Sequence, residues 1–264
     1  MIHIVCSSLS APSLHRYFLN NMSDEVVYFY LFDREKSKSS ISPDLVLPLN
    51  SIDTGTSPES AILSRWENSD ILISFDCFHI FSSEFLEKID YRAANFHPSP
   101  LPSYGGINPI NWGLINDETS WGITWHYISI GIDKGAIIKQ EVFDLPTGIT
   151  QVQLLQACLM YGLRAIYDVC TSLYNGFCIK GNEDERTRPI SFYSSNETPA
   201  IVIKNIRDVS YYSRIVPNTP HIDWRWKLDL EGKQVTAVSL SPHFGEVHLT
   251  KCLELDGTTV YYGD

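Results

Sequence analysis

An α/β fold, Rossmann-like in having a twisted and mostly parallel sheet flanked by helices, is predicted by three observations in the sequence. Short β-rich runs alternate with helical patterns over the first two thirds of the chain. Several of those runs are continuously apolar, which suits strands buried on both faces. After about residue 195 the texture changes to short strand-like runs between turn residues, which predicts a small, mainly β C-terminal region. The expected organisation is one domain over residues 1–190 and a β-rich region over 191–264.

The elements follow in chain order. Candidate strands are Ile2–Cys6, Val26–Phe32, Ile71–Phe75, Ala93–Phe96, Gly122–Tyr127 and Ala136–Val142. Candidate helices are Ala11–Asn21, Pro58–Glu67, Ser82–Lys88 and Pro109–Ile115. The clearest helix runs from Gln151 to about Tyr174. Val152, Leu155, Leu159, Ile166, Val169, Cys170 and Leu173 recur there at helical spacing. Thr150 and Gln153 form a capping-box pattern at its start, and Gly176 follows its end. Beyond it, Ile201–Ile203, Val235–Leu240, Glu246–Thr250 and Thr258–Tyr262 read as short strands, and Ser37–Ser42 as an exposed loop.

Composition narrows the class of function. Of the 264 residues, 44% are hydrophobic and 19% charged, a globular balance with enough chain for one sizeable core. No run of about eighteen apolar residues occurs, and the amino terminus does not read as a signal peptide, so a cytoplasmic location without membrane contact is expected. The net charge of −11 repels phosphate backbones, which makes nucleic acid a poor partner. The cluster of Lys36, Lys38, Arg186 and Arg188 reads as solvated surface. The six cysteines include no C-x-x-C pair, so reduced, buried thiols are expected and a metal site is not.

Chemistry concentrates between Asn95 and Ile138. Asn95 and His97 stand two apart, so an extended chain puts both side chains on one face. An amide donor and an imidazole can then converge on one small group. Pro98, Pro100 and Pro102 stiffen the loop that follows, and Gly105 and Gly106 permit a tight turn or close approach of a ligand. Thr124 and His126 alternate on a later strand. Asp133 sits in a D-x-G turn, from which a carboxylate can reach His97, orient its ring and favour the protonated form above the usual pKa of about 6.5. Each feature alone is ordinary; the signal is the ordered set N-x-H-P-S-x-L-P-x-x-x-G, N-P, T-x-H and D-x-G.

That ordered set resembles the signature of the folate-dependent formyltransferases, and the GGINPINW segment resembles their amino-sugar N-formyltransferase branch. The resemblance spans roughly residues 1–180. It places Asn95, His97 and Asp133 on the family's catalytic positions and implies 10-formyltetrahydrofolate as the formyl donor, with no metal. It implies a pterin pocket made largely by backbone groups of two loops, one with Phe75, Cys77, Phe78, His79 and Ile80, the other with Ile128, Ile130, Gly131 and Ile132. Pro100 stands where the family usually has Leu, and Lys134 where Thr is common. The acceptor expected from the resemblance is the amine of a nucleotide-linked amino-deoxysugar, as in lipopolysaccharide synthesis. Tyr104, Gly105, Gly106, Asn108 and Trp112 are expected to border it, with Ser8, Ser10 and Ser13 as a diphosphate cradle before a helix. Other small amines (an aminoacyl carrier protein, a hydroxyornithine), hydrolysis of the donor, and a non-catalytic folate-binding module are the alternatives. Hydrolases of this kind usually carry a preceding regulatory domain, whereas here the pattern starts at Met1. A homodimer is expected.

Overall fold

The computed structural model describes residues 1–8, 10–32, 51–53, 57–176, 192–193, 201–203, 228–230, 233–235, 237–239, 243–244, 247–248 and 251–263. The Lys36, Lys38, Arg186 and Arg188 cluster, the Ser37–Ser42 run and Cys178 lie outside the described residues. Seven strands make the main sheet: β1 (Ile2–Cys6), β2 (Val27–Leu31), β3 (Ser51–Asp53), β4 (Ile71–Phe75), β5 (Ala93–His97), β7 (Ser120–Tyr127) and β8 (Ile137–Asp144). Their order is β3-β2-β1-β4-β5-β7-β8. The first five pair in parallel, and β7 then runs antiparallel to β5. The predicted, mostly parallel α/β sheet is therefore present, with the one strand β7 running against its neighbours.

Apolar continuity explains the centre of the sheet. All five residues of β1 and all five of β4 are buried. Burying an Ile or Leu side chain stabilises the fold by about 1.5–3 kcal/mol, so these two strands anchor it. On one face Val5, Leu72 and Ala93 pack with Phe85, Leu86 and Ile62. Phe85 and Leu86 belong to helix α3 (Ser83–Lys88) and Ile62 to helix α2 (Glu59–Leu63). On the other face Phe75 stacks on Phe96, ring centroids 4.6 Å apart, and Trp125 closes against both.

Helix α5 (Gln151–Tyr174) packs on that aromatic group. A side chain at Gly162 would lie 2.4 Å from the Phe96 ring, and the Trp125 indole N–H donates to the Gly162 carbonyl at 3.1 Å. The helix buries Leu154, Cys158, Ala165, Ile166, Val169, Cys170 and Leu173. The stripe expected from Val152, Leu155 and Leu159 is corrected in the first half: Val152 is exposed and the two leucines only half-buried. Small residues at Cys158, Gly162 and Ala165 allow a closer approach than the leucine stripe would, and that rotates the buried face. The capping box is present, with the Gln153 N–H donating to Thr150 Oγ1 at 3.3 Å and the Thr150 N–H to Gln153 Oε1 at 2.9 Å. Gly176 adopts φ +72° after the helix.

Helix α1 (Ala11–Asn21) and helix α4 (Pro109–Ile115) match their predicted spans. Helix α2 is shorter than the expected Pro58–Glu67. The amides of Arg65 and Trp66 turn back to the carbonyls three residues before them, and the Glu67 N–H donates to the Asp70 carboxylate at 2.8 Å. That side-chain acceptor draws the chain out of the helix. Strand β3 had no periodic signal because only Ile52 of its three residues is apolar.

The β-rich tail contains two three-stranded sheets. One joins β10 (Ile201–Ile203), β11 (Leu228–Leu230) and β12 (Lys233–Val235); the other joins β13 (Ala237–Ser239), β17 (Thr258–Gly263) and β16 (Lys251–Leu255). β14 (His243–Phe244) and β15 (Val247–His248) form a further pair, as do β6 (Gly105–Gly106) and β9 (Phe192–Tyr193). The run expected as one strand over Val235–Leu240 is divided between β12 and β13. Asp256 and Gly257, at φ +53° and +73°, join β16 to β17 as a tight hairpin turn.

Contacts divide the chain into two units. The first comprises Met1–Ser103, Gly122–Val142 and Cys158–Ile190; the second comprises Tyr104–Trp121, Phe143–Ala157 and Ser191–Asp264. Asn95, His97 and Asp133 all belong to the first.

Candidate active site

The site begins with strand pairing. In the antiparallel β5–β7 pair, Asn95 lies directly opposite His126, and His97 opposite Thr124. Side chains opposed in this way stand within about 5.5 Å at Cβ, close enough for direct bonding. The Asn95 amide nitrogen is 3.2 Å from His126 Nε2. His126 Nδ1 donates to its neighbour's carbonyl, Tyr127 O, at 2.9 Å. That bond puts the ring proton on Nδ1 and leaves Nε2 as an acceptor for the Asn95 N–H. His126 was noted only as part of a strand pattern in the sequence. The cross-strand register makes it a member of the site.

Asp133 completes the group. Its carboxylate lies 3.6 Å from His97 Nδ1 through Oδ2 and 3.6 Å from His126 Nε2 through Oδ1. One anion therefore faces two imidazoles, and all three side chains are nearly enclosed. Geometry alone makes this demanding. Because β7 is antiparallel to β5, the loop after it starts beside Ala93, where the Ile128 N–H donates to the Ala93 carbonyl at 2.9 Å. The loop must fold back across the sheet face to reach His97. Asp133 takes the left-handed conformation at φ +54° to do so. Gly135 then passes against the end of β7, where an added Cβ would lie 1.7 Å from the Tyr127 carbonyl oxygen. The D-x-G spacing is thus a requirement of close backbone approach.

Thr124 secures the other side. Its Oγ1 donates to the Ser99 carbonyl at 2.7 Å and accepts from the Leu101 N–H at 3.0 Å. Gln140 Nε2 donates to Thr124 Oγ1 at 2.9 Å and to the Leu101 carbonyl at 2.7 Å. The proline-rich loop after His97 is held by these bonds.

The residues expected around donor and acceptor are distributed unevenly. Phe78, Ile80, Ile130 and Ile132 are 59%, 68%, 68% and 46% exposed, an unusual show of apolar surface on two loops. Cys77 and Ile128 pack below them against the same cluster as Val5 and Leu72. His79 is turned inward, and Gly131 is half-buried. The Phe75 side chain is a core residue in the aromatic stack, which leaves its backbone as the part that faces the loop. Tyr104 and Trp112 are buried, with Tyr104 Oη donating to Glu118 at 2.6 Å. Gly105 and Gly106 pair with Phe192 and Tyr193, and Asn108 is a half-buried, left-handed residue before helix α4.

The serines before helix α1 stand beside a carboxylate. Strands β1 and β4 flank the point where the strand order reverses, a usual ligand crevice in such sheets. There Ser7 and Ser10 donate to Asp76 Oδ2 at 2.7 and 2.6 Å. Ser8 is buried and Ser13 lies exposed on the helix. The Asp76 carboxylate thus stands beside the start of helix α1.

Comparison with known proteins places the chain in a family. Residues 31–169 match the formyl transferase family model. The chain belongs to the formyltransferase family. Among its relatives is a methionyl-tRNA formyltransferase of Ruminiclostridium cellulolyticum, 28% identical over 128 residues, 48% of this chain and 41% of that protein. Another is a GDP-perosamine N-formyltransferase of Brucella melitensis, 26% identical over 193 residues, 73% of this chain and 63% of that protein. The family member thus aligns with less than two thirds of these relatives' lengths. Its fold resembles that of an N-formyltransferase from Helicobacter canadensis solved with folinic acid and dTDP-3-aminofucose. The TM-score is 0.64 at 18% identity, covering 99% of this chain and 98% of that one. Among the described residues no group of three His, Cys, Asp or Glu side chains is placed to hold a metal ion, and no helix is long and apolar enough to cross a membrane.

Proposed function

We propose that this chain transfers a formyl group from 10-formyltetrahydrofolate to the amine of a nucleotide-linked amino-deoxysugar. The observation that carries the reading is the convergence of Asn95, His97, His126 and Asp133 within 3.2–3.6 Å in a chain of this family. The four exposed apolar side chains on the loops after β4 and β7 support a donor with a flat aromatic body, which would cover them. The Brucella and Helicobacter relatives support the acceptor class, because those likenesses extend over 73% and 99% of the chain.

The chemistry follows from the groups present. The neutral acceptor amine attacks the formyl carbon, a C–N bond forms, and the carbonyl oxygen becomes an oxyanion. The free N–H of Asn95 and a protonated His97 stabilise that charge. His126 holds the Asn95 amide so that one N–H is occupied and the other is available. Collapse breaks the bond to the folate nitrogen, which takes a proton as the amine loses one; His97 is the relay, and Asp133 keeps it charged and oriented. Holding both substrates together lowers the remaining barrier.

The experiment offers 10-formyltetrahydrofolate with nucleotide-linked 3-amino and 4-amino sugars, carrier-bound amino acids and free amines, and reads a gain of CO on the acceptor by mass spectrometry. Formylation of an amino sugar is expected, and His97→Asn or Asp133→Asn lowers its turnover at least about a hundredfold. Formylation of only the other amines overturns the acceptor assignment. Formate release without any acceptor product favours hydrolysis instead. Near-normal turnover in a folded His97→Asn variant removes His97 from the mechanism.

A further inference from the structure

We infer that His79, through Glu59, is a positioning residue that holds the loop after β4 in its donor-binding form. The inference rests on the reading of that loop as part of the formyl-donor pocket, and it assigns a task to a histidine that the chemistry leaves unused.

The loop from Asp76 to Phe81 alternates. Cys77 and His79 are half-buried and Phe81 is buried, while Phe78 and Ile80 point out. Whatever fixes the inward set therefore fixes the outward apolar set, which is the surface offered to the donor. A polar imidazole is an unexpected member of the inward set. Its side chain is only 11% exposed, held edge-on between Phe32 and Phe81 at centroid distances of 5.1 and 4.8 Å. Burial disfavours its charged form and lowers its pKa below the usual value, with the Glu59 hydrogen bond opposing. A neutral ring can still donate one N–H, and Nε2 lies 3.3 Å from Glu59 Oε1.

Glu59 gathers the whole end of the loop. Its Oε1 also accepts the Ser82 N–H at 2.7 Å, and its Oε2 accepts the Ser82 hydroxyl at 2.8 Å. Ser82 in turn caps helix α3 by accepting the Phe85 N–H at 3.2 Å. One carboxylate at the start of helix α2 thus ties the loop's inward histidine and its final residue to two helices. Removing the His79 bond loosens the loop between Asp76 and Ser82 at its midpoint. Donor binding must then order that segment, and the entropy of ordering opposes binding.

The test separates a hydrogen-bond role from ring packing. His79→Phe keeps an aromatic ring between Phe32 and Phe81 but cannot donate to Glu59; His79→Gln keeps an N–H at similar reach but loses the ring. The readouts are KM for 10-formyltetrahydrofolate, KM for the acceptor, kcat, and the calorimetric Kd of unreactive 5-formyltetrahydrofolate. For His79→Phe, donor KM and Kd are expected to rise about tenfold, the scale of one lost bond to a charged acceptor, with acceptor KM unmoved and kcat changed far less. His79→Gln is expected to restore most of the donor affinity, and Glu59→Met, which has no oxygen to accept the His79 N–H, to behave like His79→Phe. The reverse order, with Phe near normal and Gln impaired, shows packing alone and overturns the inference, as does a fall in kcat without a change in donor KM. Should one histidine variant not fold, the Glu59→Met measurement decides by the same criterion. If the unaltered protein does not bind 5-formyltetrahydrofolate, the donor reading itself falls and takes the inference with it. If it binds and the variants bind equally, only the inference is overturned.

Discussion

At the scale of single residues, the site depends as much on glycine as on the polar groups. Asn95, His97 and Asp133 were legible in the sequence because their order and spacing form one recognisable set. The physical reason for the D-x-G spacing was not, since it lies in a backbone approach that only strand pairing creates. A Cβ at Gly135 would stand 1.7 Å from the Tyr127 oxygen and 3.4 Å from His126 Nδ1. Gly135→Ala is therefore expected to displace the loop that carries Asp133, opening its 3.6 Å approaches to both imidazoles. Turnover should fall by at least about tenfold, because a misplacement of about 1 Å can cost a hundredfold. Melting should change less than turnover, since the loop lies over the sheet and not within its core. Steady-state kinetics beside a thermal melt checks this, and unchanged turnover would show that the loop tolerates the side chain. His126 was noted in the T-x-H pattern but given no role, for a related reason: its partnership with Asn95 exists only because β7 runs antiparallel to β5, which no local pattern announces.

At the scale of elements, most of the fold was legible wherever a run was long and periodic. Helices α1, α4 and α5 and strands β1 and β4 have their predicted bounds. The exceptions are instructive. β3 is too short to show alternation, and β16 (Lys-Cys-Leu-Glu-Leu) is mostly solvent-facing, so neither leaves an apolar signature. Helix α5 was found but its buried face was misjudged, because leucines draw attention while packing is governed by where small residues allow contact. That point is testable at Gly162. A Cβ there would approach the Phe96 ring at 2.4 Å and Phe75 at 3.0 Å, in the aromatic group between helix and sheet. Gly162→Val should lower stability by about 1–3 kcal/mol, the usual cost of overpacking a filled core. Denaturant unfolding followed by far-UV circular dichroism measures it, and a neutral result would mean that helix α5 can shift outward without loss.

At the scale of the whole molecule, charge governs both acid stability and choice of partner. His3 is fully buried between strands, its Nδ1 2.8 Å from Tyr30 Oη and its Nε2 3.0 Å from Asp70. Burial lowers its pKa, despite the opposing Asp70 carboxylate, and burial likewise lowers that of His79. The unfolded chain therefore binds these protons more readily than the folded one. Their stabilising share is complete above the unfolded value of about 6.5 and declines as pH falls through that range. Burial pushes the Asp70 carboxyl upward, but hydrogen bonds from His3, the Glu67 amide and the terminal ammonium outweigh it and hold the group below its usual range. Its contribution survives to lower pH and disappears as pH falls through the carboxylate range. The melting midpoint should consequently drop between pH 7.5 and 5.5, and His3→Gln should flatten that slope; a flat profile in the unaltered protein would contradict it. The net charge of −11 acts on partners in the same pH range. Methionyl-tRNA formyltransferases share part of this sequence, so tRNA is the acceptor against which the amino-sugar reading must be weighed. Binding a polyanion requires enough basic contacts to release counterions, and the summed field of this chain opposes approach. In an anisotropy titration with initiator methionyl-tRNA at physiological salt, no saturable binding tighter than about 100 μM is expected, the weak end of non-specific association. Saturable micromolar binding accompanied by formylation of the methionine would overturn the amino-sugar assignment, and it would require a local basic surface strong enough to overcome the chain's net charge.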